Sequence, residues 1–342
     1  MCSDKGAVLP PPAVNCMNSD NYTLRKILLL LSVAIAVAVA VMFIYGLPAK
    51  KCEGPNPECR YELASLKKTD PALLLQAGVA IINPSISNLT ALAVDSADNI
   101  YIGSSCGIEI LDAKGVRVGG FAVDATVRCL TVSLDGEILV GLNSHVEVYE
   151  KNGTRKAVWK SPDSRAGLTS IASSSNSVFV ADYVNRIVWR YSRSGELLGR
   201  IGDKDDGQRK SGFVVPSAFF DVAVARDGSL WVVSPGQHRL EHFSAEGDFI
   251  KFWGEFGIDG PRFCGCCNPS NFAIMPDGSF VTSEKHIVRV KVYDADGRFK
   301  GIVSGQEDWQ KEAVGLDMAV DSKGRILVLD PQSNVVRLYL EK

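Results

Sequence analysis

The sequence has little net charge and lacks the common short motifs of catalysis. Its 342 residues carry a formal net charge of -2, whereas proteins that bind nucleic acid need a strong basic field. No G-x-S-x-G or G-x-G-x-x-G segment stands beside suitable elements, and nothing supplies a nucleophilic triad or a phosphate-binding glycine loop. These absences disfavour nucleic acid as a partner, as well as the enzyme classes that such motifs identify.

Long helical patterns are also scarce, whereas glycine is frequent, with 31 residues. This combination favours strands and turns. The exception is residues 27–47, which carry no charge over 21 positions, about the length of a membrane-spanning helix. A cleavable signal peptide has a shorter apolar core, roughly 7–15 residues. We therefore expect an uncleaved transmembrane anchor (a signal-anchor) at 27–47, between a disordered tail at 1–26 and a linker at 48–70.

Two features of the sequence bear on the side of the membrane where the C-terminal part of the chain lies. Basic residues flank the apolar run with a small excess at its C-terminal end, but long folded domains are translocated largely regardless of such charges. Cys52 and Cys59 would close a small Pro- and Gly-rich loop in an oxidising compartment. We expect the C-terminal part of the chain to lie outside the cytoplasm, in the periplasm or the extracellular space.

The rest of the sequence consists of one unit that occurs six times. Each unit reads as a short apolar strand, a polar turn, an alternating strand and then a third strand. The six units contain LAVDSADNIYIG, LTVSLDGEILVG, IASSSNSVFVAD, VAVARDGSLWVV, FAIMPDGSFVTS and MAVDSKGRILVL. Equivalent residues recur at intervals of 38 to 51 positions, which is the period of a four-stranded propeller blade. The sequence therefore predicts an all-β, six-bladed β-propeller over 71–342.

The last unit ends after its third strand, which would leave an open sheet edge. Residues 72–82, ALLLQAGVAII, read as a strand that precedes the first complete unit. We expect this strand to supply the fourth strand of the last blade and thereby to close the ring.

Two segments, VNRIVWRYSRSGELLGRIG and HRLEHFSAEGDFIKFWG, resemble NHL repeats. The resemblance covers roughly residues 86–342 and implies a six-bladed propeller, although the fold alone gives no function. One enzymatic branch of these propellers, the peptidyl-α-hydroxyglycine lyase, uses a metal with Tyr and Arg in its top-face site. Tyr183 and Arg186 fall on the corresponding loop of the third blade. That branch's motif is not matched residue by residue, so no catalytic role is carried over.

Several thiols and imidazoles are expected on one face of the propeller. We call this the top face: it carries the loops that enter the inner strands and those that join the second and third strands. The thiols predicted there are Cys106, Cys129, Cys264, Cys266 and Cys267. The candidate metal ligands on equivalent loops are His145, His238, His286 and Glu284. Each histidine is either a solvated turn residue or a ligand.

The segment RFCGCCNPS, which enters the fifth blade, is open to four interpretations. A disulfide between Cys266 and Cys267 would be strained, because adjacent Cα atoms lie about 3.8 Å apart and bridged ones about 4.4–6.8 Å. A bridge to Cys106 or Cys129 is easier, unless those two bridge each other. The thiolates would alternatively bind zinc or Cu(I) with a histidine. The remaining interpretations are a catalytic or redox-sensing thiol near a Lys–His pair and buried, unreactive thiols.

A ring of polar residues is predicted at the channel mouth, at the position just before each inner strand. Its members are Ala91, Cys129, Ser170, Asp221, Asn271 and Asp317. The carboxylates, amide and hydroxyl either bind a hard divalent cation such as Ca²⁺ or satisfy backbone donors and channel water.

These features favour a membrane-tethered binding or scaffold propeller that presents its top face to a protein or small-molecule ligand. Two alternatives remain. One is a metal-dependent lyase or hydrolase resembling the NHL-type lyase, and the other is a thiol redox protein that uses the C-x-C-C loop. Nucleic acid is not an expected partner.

Overall fold

The computed structural model describes residues 26–32, 67–202, 212–309 and 313–341. Residues 26–32 are helical. Within the described part of the chain, no helix is long and apolar enough to cross a bilayer. Most of the anchor predicted at 27–47, nearly all of the tail at 1–26, most of the linker at 48–70 and the Cys52–Cys59 loop lie outside the described residues.

The described residues of the C-terminal unit form six antiparallel sheets of four strands each. The first blade contains β2 Leu89–Val94, β3 Ile100–Ser104, β4 Gly107–Leu111 and β5 Arg117–Ala122. The second contains β6 Cys129–Val132, β7 Ile138–Gly141, β8 Val146–Tyr149 and β9 Arg155–Trp159. The third contains β10 Leu168–Ser173, β11 Ser177–Asp182, β12 Ile187–Ser192 and β13 Leu197–Ile201. The all-β, six-bladed propeller predicted from the repeats is confirmed.

The next two blades contain β14 Val222–Val224, β15 Leu230–Ser234, β16 Arg239–Phe243 and β17 Phe249–Trp253; and β18 Asn271–Ile274, β19 Phe280–Glu284, β20 Arg289–Tyr293 and β21 Phe299–Ser304. The sixth contains β22 Met318–Val320, β23 Ile326–Asp330, β24 Val335–Glu341 and β1 Ala77–Ile82. Short 3-10 helices span Pro71–Leu73, Pro235–Gln237 and Gln306–Asp308.

The sixth blade is built from both ends of the propeller sequence. β1 pairs antiparallel with β24, from Ala77 opposite Glu341 to Ile82 opposite Val336. The fourth strand of this blade therefore comes from the predicted segment 72–82, with the bounds Ala77–Ile82. Because β1 covers the free edge of β24, the ring is closed by a hydrogen-bonded pair rather than by side-chain packing alone.

A glycine recurs in the turn between the third and fourth strands of the first five blades, and the structure shows why. Gly195 has φ +87°, and a Cβ atom there would lie 2.4 Å from the Trp159 ring of the preceding blade. Gly297 has φ +81° and meets Trp253 in the same way. Three further pairs repeat this contact: Gly115 with Ile82, Gly153 with Phe121 and Gly247 with Ile201. Each turn thus receives the end of the neighbouring outer strand, which locks adjacent blades together.

The inner strands β2, β6, β10, β14, β18 and β22 contact one another in a closed ring. They surround a central channel with a cavity volume of about 270 Å³. The second and third strands of the blades are almost fully buried, whereas the fourth strands expose alternate side chains. This arrangement places the ends of the inner strands, and the loops that enter them, around the channel mouth on the top face.

Candidate functional site at the channel mouth

A cavity of about 190 Å³ lies at the channel mouth on the top face. We call it the mouth pocket. Its lining combines hydrogen-bonding and aromatic side chains from several blades: Thr90, Arg128, Asn143, Gly167, Leu168, Thr169, Tyr183, Ala218, Phe219, Phe220, Asn271, Gly315 and Asp317. This volume is below the roughly 300–1,000 Å³ of a drug-sized site, so the pocket suits a small ligand.

Four of these side chains have polar ends without a partner. Within the described residues, the Arg128 guanidinium, the Asn143 amide and the Tyr183 hydroxyl have no hydrogen-bonded partner. The Oδ1 atom of Asn271 is shielded from solvent and also lacks a donor. Arg128 and Asn143 are exposed and Tyr183 is half-buried, so their polar ends are open to solvent. The shielded Asn271 oxygen is the kind of unpaired buried group that costs about 1–3 kcal/mol. The mouth pocket therefore offers hydrogen-bonding capacity that the protein itself does not use.

Tyr183 is placed over the pocket by a network around Asp182. The buried Asp182 carboxylate accepts hydrogen bonds from the backbone N–H groups of Gly167 (3.0 Å) and Val184 (3.1 Å). The Tyr183 N–H donates to the Gly167 carbonyl at 3.0 Å. A Cβ atom on Gly167 would lie 2.3 Å from the Tyr183 ring. The loop of the third blade therefore needs glycine at position 167 to hold Tyr183 at the mouth.

Tyr183 and Asn271 are among the residues predicted from the sequence, whereas Arg128 and Asn143 are not. Arg128 immediately precedes β6, and its backbone N–H donates to Gly141 at 2.8 Å. Asn143 lies in the loop after β7 and accepts the Leu168 N–H at 3.0 Å through its carbonyl, so it joins the second blade to the third. The sequence contained one indication of Arg128 at the channel mouth, because Arg128 directly precedes Cys129, a member of the predicted polar ring.

Two members of the predicted ring, Asp221 and Asp317, are bound to backbone donors. The Asp317 carboxylate accepts the N–H groups of Leu92 (2.7 Å) and Met318 (2.9 Å), which lie in the first and sixth blades. Asp221 does the same for Phe272 (2.8 Å) and Val222 (2.9 Å), in the fifth and fourth blades. These contacts agree with the second interpretation of the ring, in which its polar side chains pair with backbone donors. The cation stays a prediction.

Burial sets the protonation of this ring. Desolvation raises the pKa of Asp221 to about 6. Desolvation together with the Asp221 charge raises the pKa of Asp317 to about 7. Burial, reinforced by both carboxylates, raises the pKa of the Cys129 thiol well above its usual value. Ser170 Oγ lies 3.2 Å from the Val222 N–H. Near neutral pH, the polar ring therefore carries less negative charge than two fully ionised aspartates would give it.

The C-x-C-C loop rests on a buried ionic cluster in the fifth blade. The Glu284 carboxylate accepts the Cys264 N–H at 2.8 Å and the Arg289 Nε–H at 2.6 Å. Its Oε2 atom also lies 3.2 Å from Lys291 Nζ. Lys291 is fully buried and donates to the carbonyl of Arg262 at 2.8 Å. Desolvation lowers the Lys291 pKa to about 8. These charges fix the loop from beneath.

The five cysteines within the described residues are all unbonded. The bridge expected from Cys264, Cys266 or Cys267 to Cys106 or Cys129 is therefore not formed, nor is one between Cys106 and Cys129. Cys106 is exposed on the loop after β3, whereas Cys129 is buried in β6. Cys266 Sγ lies 3.1 Å from Cys267 Sγ.

The three predicted histidines do not meet. His238 is at the C-x-C-C loop, where its Nε2 lies 2.7 Å from the Gly265 carbonyl. His145 lies 3.4 Å from the Glu147 carboxylate in the second blade, and His286 is exposed. Glu284 is engaged by the buried cluster. Over the described ranges, no three His, Cys, Asp or Glu side chains are grouped to hold a metal ion, and the Zn or Ca site stays a prediction.

Comparisons with known proteins bear on the fold. No protein-family model matches the sequence, and no curated protein matches it. A streptogramin B lyase structure is 12% identical over 78% of this chain and 98% of that chain, with a TM-score of 0.56. A catalytically inactive variant of virginiamycin B lyase from Staphylococcus aureus with quinupristin is 12% identical over 78% and 99%, with a TM-score of 0.53.

A protein of unknown function from Bacteroides thetaiotaomicron is also 12% identical, over 78% of this chain and 76% of that chain, with a TM-score of 0.55. At such identities the likeness concerns the fold alone. The NHL resemblance is not carried by a family model. The protein is a six-bladed β-propeller with virginiamycin B lyase-type propellers among its structural neighbours.

Proposed function

We propose that this protein is a membrane-tethered, extracytoplasmic binding propeller that holds a small anionic ligand in its mouth pocket. The observation that carries the proposal is the set of four partnerless polar groups around one cavity. Arg128 supplies a planar cationic fork, which matches a carboxylate in a bidentate manner. Asn143, Tyr183 and Asn271 supply hydrogen-bonding groups for an adjacent amide or hydroxyl.

The apolar part of the lining sets the rest of the ligand. Phe219 offers aromatic surface beside the polar groups, whereas Phe220 is 1% exposed and packs in the core. Asp317 would oppose an anion if fully charged, but its pKa of about 7 reduces that charge near neutral pH. A carboxylate joined to an amide and a planar apolar group therefore fits this lining. The tether at 27–47 and the location outside the cytoplasm are part of the proposal and rest on the sequence.

Among the described residues, the acid–base groups available to the enzymatic alternative at this site are Asp317, whose pKa is about 7, and Tyr183. The described residues that line the mouth pocket include no histidine or cysteine, which are common general bases and nucleophiles. The lyases among the solved structures share the fold at 12% identity. A metal-dependent lyase or hydrolase therefore ranks second to binding.

The test is calorimetric titration of the detergent-solubilised full chain with N-benzoylglycine, and with its uncharged amide as the matched ligand. We expect saturable binding of the acid and at least tenfold weaker binding of the amide. Arg128→Met should abolish the difference between the two ligands. Arg186→Met is the control, because Arg186 is exposed on the third blade and does not line the pocket. Equal affinity of the two variants for the acid would refute the site.

The membrane tether has its own test. Cells expressing the full chain are separated into soluble and membrane fractions, and the membranes are washed with carbonate. The proposal expects the full chain to stay in the washed membrane, and a chain lacking 27–47 to leave it. Protease added to intact cells or spheroplasts should digest the propeller of the full chain. Protection from protease would place it in the cytoplasm instead.

A further inference from the structure

A second cluster on the top face is not used by the mouth pocket. Cys266 and Cys267 are adjacent, with their Sγ atoms 3.1 Å apart. Cys266 is exposed, whereas Cys267 is only 3% exposed. Gly265, with φ +86°, turns the chain just before the pair. One thiol therefore meets solvent while the other stands directly behind it.

The inner thiol has a cationic neighbourhood. Lys285 is almost fully buried and donates from Nζ to Ser217 Oγ at 2.6 Å. Ser217 Oγ in turn lies 3.7 Å from Cys267 Sγ. Burial alone would raise the pKa of the Cys267 thiol, but hydrogen bonds from Lys285, Cys266 and Ser217 outweigh it and hold this pKa below its usual value. The hydrogen bond with Cys267, together with burial, raises the pKa of Cys266.

The loop that carries the pair is held in place by side-chain contacts. The Asn268 amide donates to the carbonyls of Cys264 (2.6 Å) and Lys285 (3.1 Å), and its Oδ1 accepts the Lys285 N–H at 2.9 Å. Cys264 itself is buried, and its N–H is bound to Glu284. Burial and the Glu284 charge raise the pKa of the Cys264 thiol. The loop therefore separates one inert thiol from two thiols in mutual contact.

We propose that Cys266 and Cys267 form a reversible dithiol–disulfide couple that exchanges with low-molecular-weight disulfides. The Cys266 thiolate attacks one sulfur of the external disulfide, forming a mixed disulfide and releasing the first external thiolate, which takes up a proton. The Cys267 thiolate, stabilised by Lys285, then attacks the Cys266 sulfur and releases the second. The protein dithiol is oxidised by two electrons while one disulfide is reduced to two thiols.

The division of roles follows from access, because the lower pKa belongs to the inner thiol. A disulfide from solution reaches the exposed Cys266 and not the buried Cys267, so the outer thiol attacks. The inner thiol needs only a short movement, from the present 3.1 Å contact to a bond of about 2.05 Å. A bond between sequence neighbours joins Cα atoms about 3.8 Å apart, below the usual range of about 4.4–6.8 Å. Such strained disulfides are the readily reduced ones, so the couple cycles instead of acting as a permanent staple.

The test uses the full chain with Cys2, Cys16, Cys52 and Cys59 replaced by serine. It is equilibrated in glutathione buffers of increasing oxidised fraction, quenched with acid, alkylated and digested with trypsin. The tryptic peptide 263–285 contains Cys264, Cys266 and Cys267 and no other cysteine. We expect it to lose two alkyl groups in a single two-electron step, with the bond mapped to Cys266–Cys267. Cys106, an exposed thiol elsewhere on the top face, should form only a mixed disulfide.

Two single variants separate the roles. Cys267→Ser should trap glutathione on Cys266, because no resolving thiol remains. Cys266→Ser should leave Cys267 unmodified while the protein is folded, as monitored by tryptophan fluorescence. Lys285→Met should make the Cys266 mixed disulfide accumulate severalfold in the presence of Cys267, with its pH profile moved upward. A purely structural role of Lys285 would leave that profile unchanged.

The proposal fails if the peptide stays fully alkylated in the most oxidising buffer, or if the bond joins Cys264 or Cys106. It also fails if Cys266→Ser is glutathionylated as fast as Cys267→Ser. None of these measurements depends on the binding of N-benzoylglycine, so this proposal and the proposed function are tested independently.

Discussion

Arg289 donates from Nε to the Glu284 carboxylate across 2.6 Å, and both side chains are almost entirely buried. A buried ion pair is weak evidence of net stabilisation, but removing one partner leaves an uncompensated charge that costs about 3–5 kcal/mol. Here the carboxylate faces two cations, because Lys291 Nζ lies 3.2 Å away. The pair therefore fixes the C-x-C-C loop more than it strengthens the fold.

Glu284→Ala should lower the free energy of unfolding by about 3–5 kcal/mol, since it leaves Arg289 and Lys291 buried without an anion. Urea unfolding measures the loss. Lys156→Ala is the control, because the Lys156–Glu137 pair lies at the surface, where ion pairs contribute little. It should unfold at the same urea concentration as the unaltered protein. A loss no larger than that of the control would show that the cluster is not a buried charge network.

The protein should become less stable as the pH rises from about 5 to 7.5. The pKa of Asp317 is about 7 and that of Asp221 about 6 in the folded state, against about 3.9 when unfolded. The folded state thus binds more protons in this window, so the free energy of unfolding falls with pH, by on the order of 2–4 kcal/mol.

Chemical unfolding at a series of pH values measures this slope. Asp317→Asn should flatten it, because the group that takes up the proton is gone. Asp112→Asn is the matched control, since Asp112 also accepts two backbone N–H groups but lies in the turn after β4, outside the channel-mouth ring, and it should keep the slope. An unchanged slope in Asp317→Asn would contradict the raised pKa.

Gly195→Ala should cost more than Gly136→Ala. Both glycines have φ near +80°, at +87° and +80°, where a side chain costs about 1–2 kcal/mol. A Cβ atom at Gly195 would also meet the Trp159 ring at 2.4 Å, whereas nothing lies within 4 Å at Gly136. We expect a further loss of about 1–3 kcal/mol at Gly195 from overpacking, measured as the difference between the two variants in thermal unfolding. Equal losses would mean that the blades do not interlock there.

Ile82→Asp should open the ring, whereas Ile81→Asp should not. The two residues are neighbours in β1, but Ile82 is 8% exposed and packs against Gly115, and Ile81 is 47% exposed. A buried, unpaired carboxylate is strongly destabilising, so Ile82→Asp should aggregate or be cut early in limited proteolysis. Ile81→Asp should remain intact. Similar behaviour of both variants would mean that β1 does not seal the sixth blade.

The repeats predict the blades because a period-2 strand pattern with glycine turns is local information. The fourth strand of the sixth blade was also predictable, since a sheet edge left open demands a partner. The mouth pocket was not, because Arg128 and Asn143 line one cavity with Tyr183 only through the packing of the second blade against the third. Sequence spacing places a residue on a blade but does not reveal whether its polar end finds a partner. Likewise, no expectation for Lys291 came from the sequence; this residue is fully buried and donates to the carbonyls of Gly260 and Arg262 near the C-x-C-C loop.

The proposed function depends on the binding of a small carboxylate to Arg128 in the mouth pocket. The most direct measurement is a crystal structure of the protein with N-benzoylglycine, supported by titration of Arg128→Met. We expect the carboxylate within about 2.7–2.9 Å of the Arg128 guanidinium, with the ring against Phe219, and loss of binding in the variant. A ligand bound elsewhere, or undiminished binding in Arg128→Met, would contradict it.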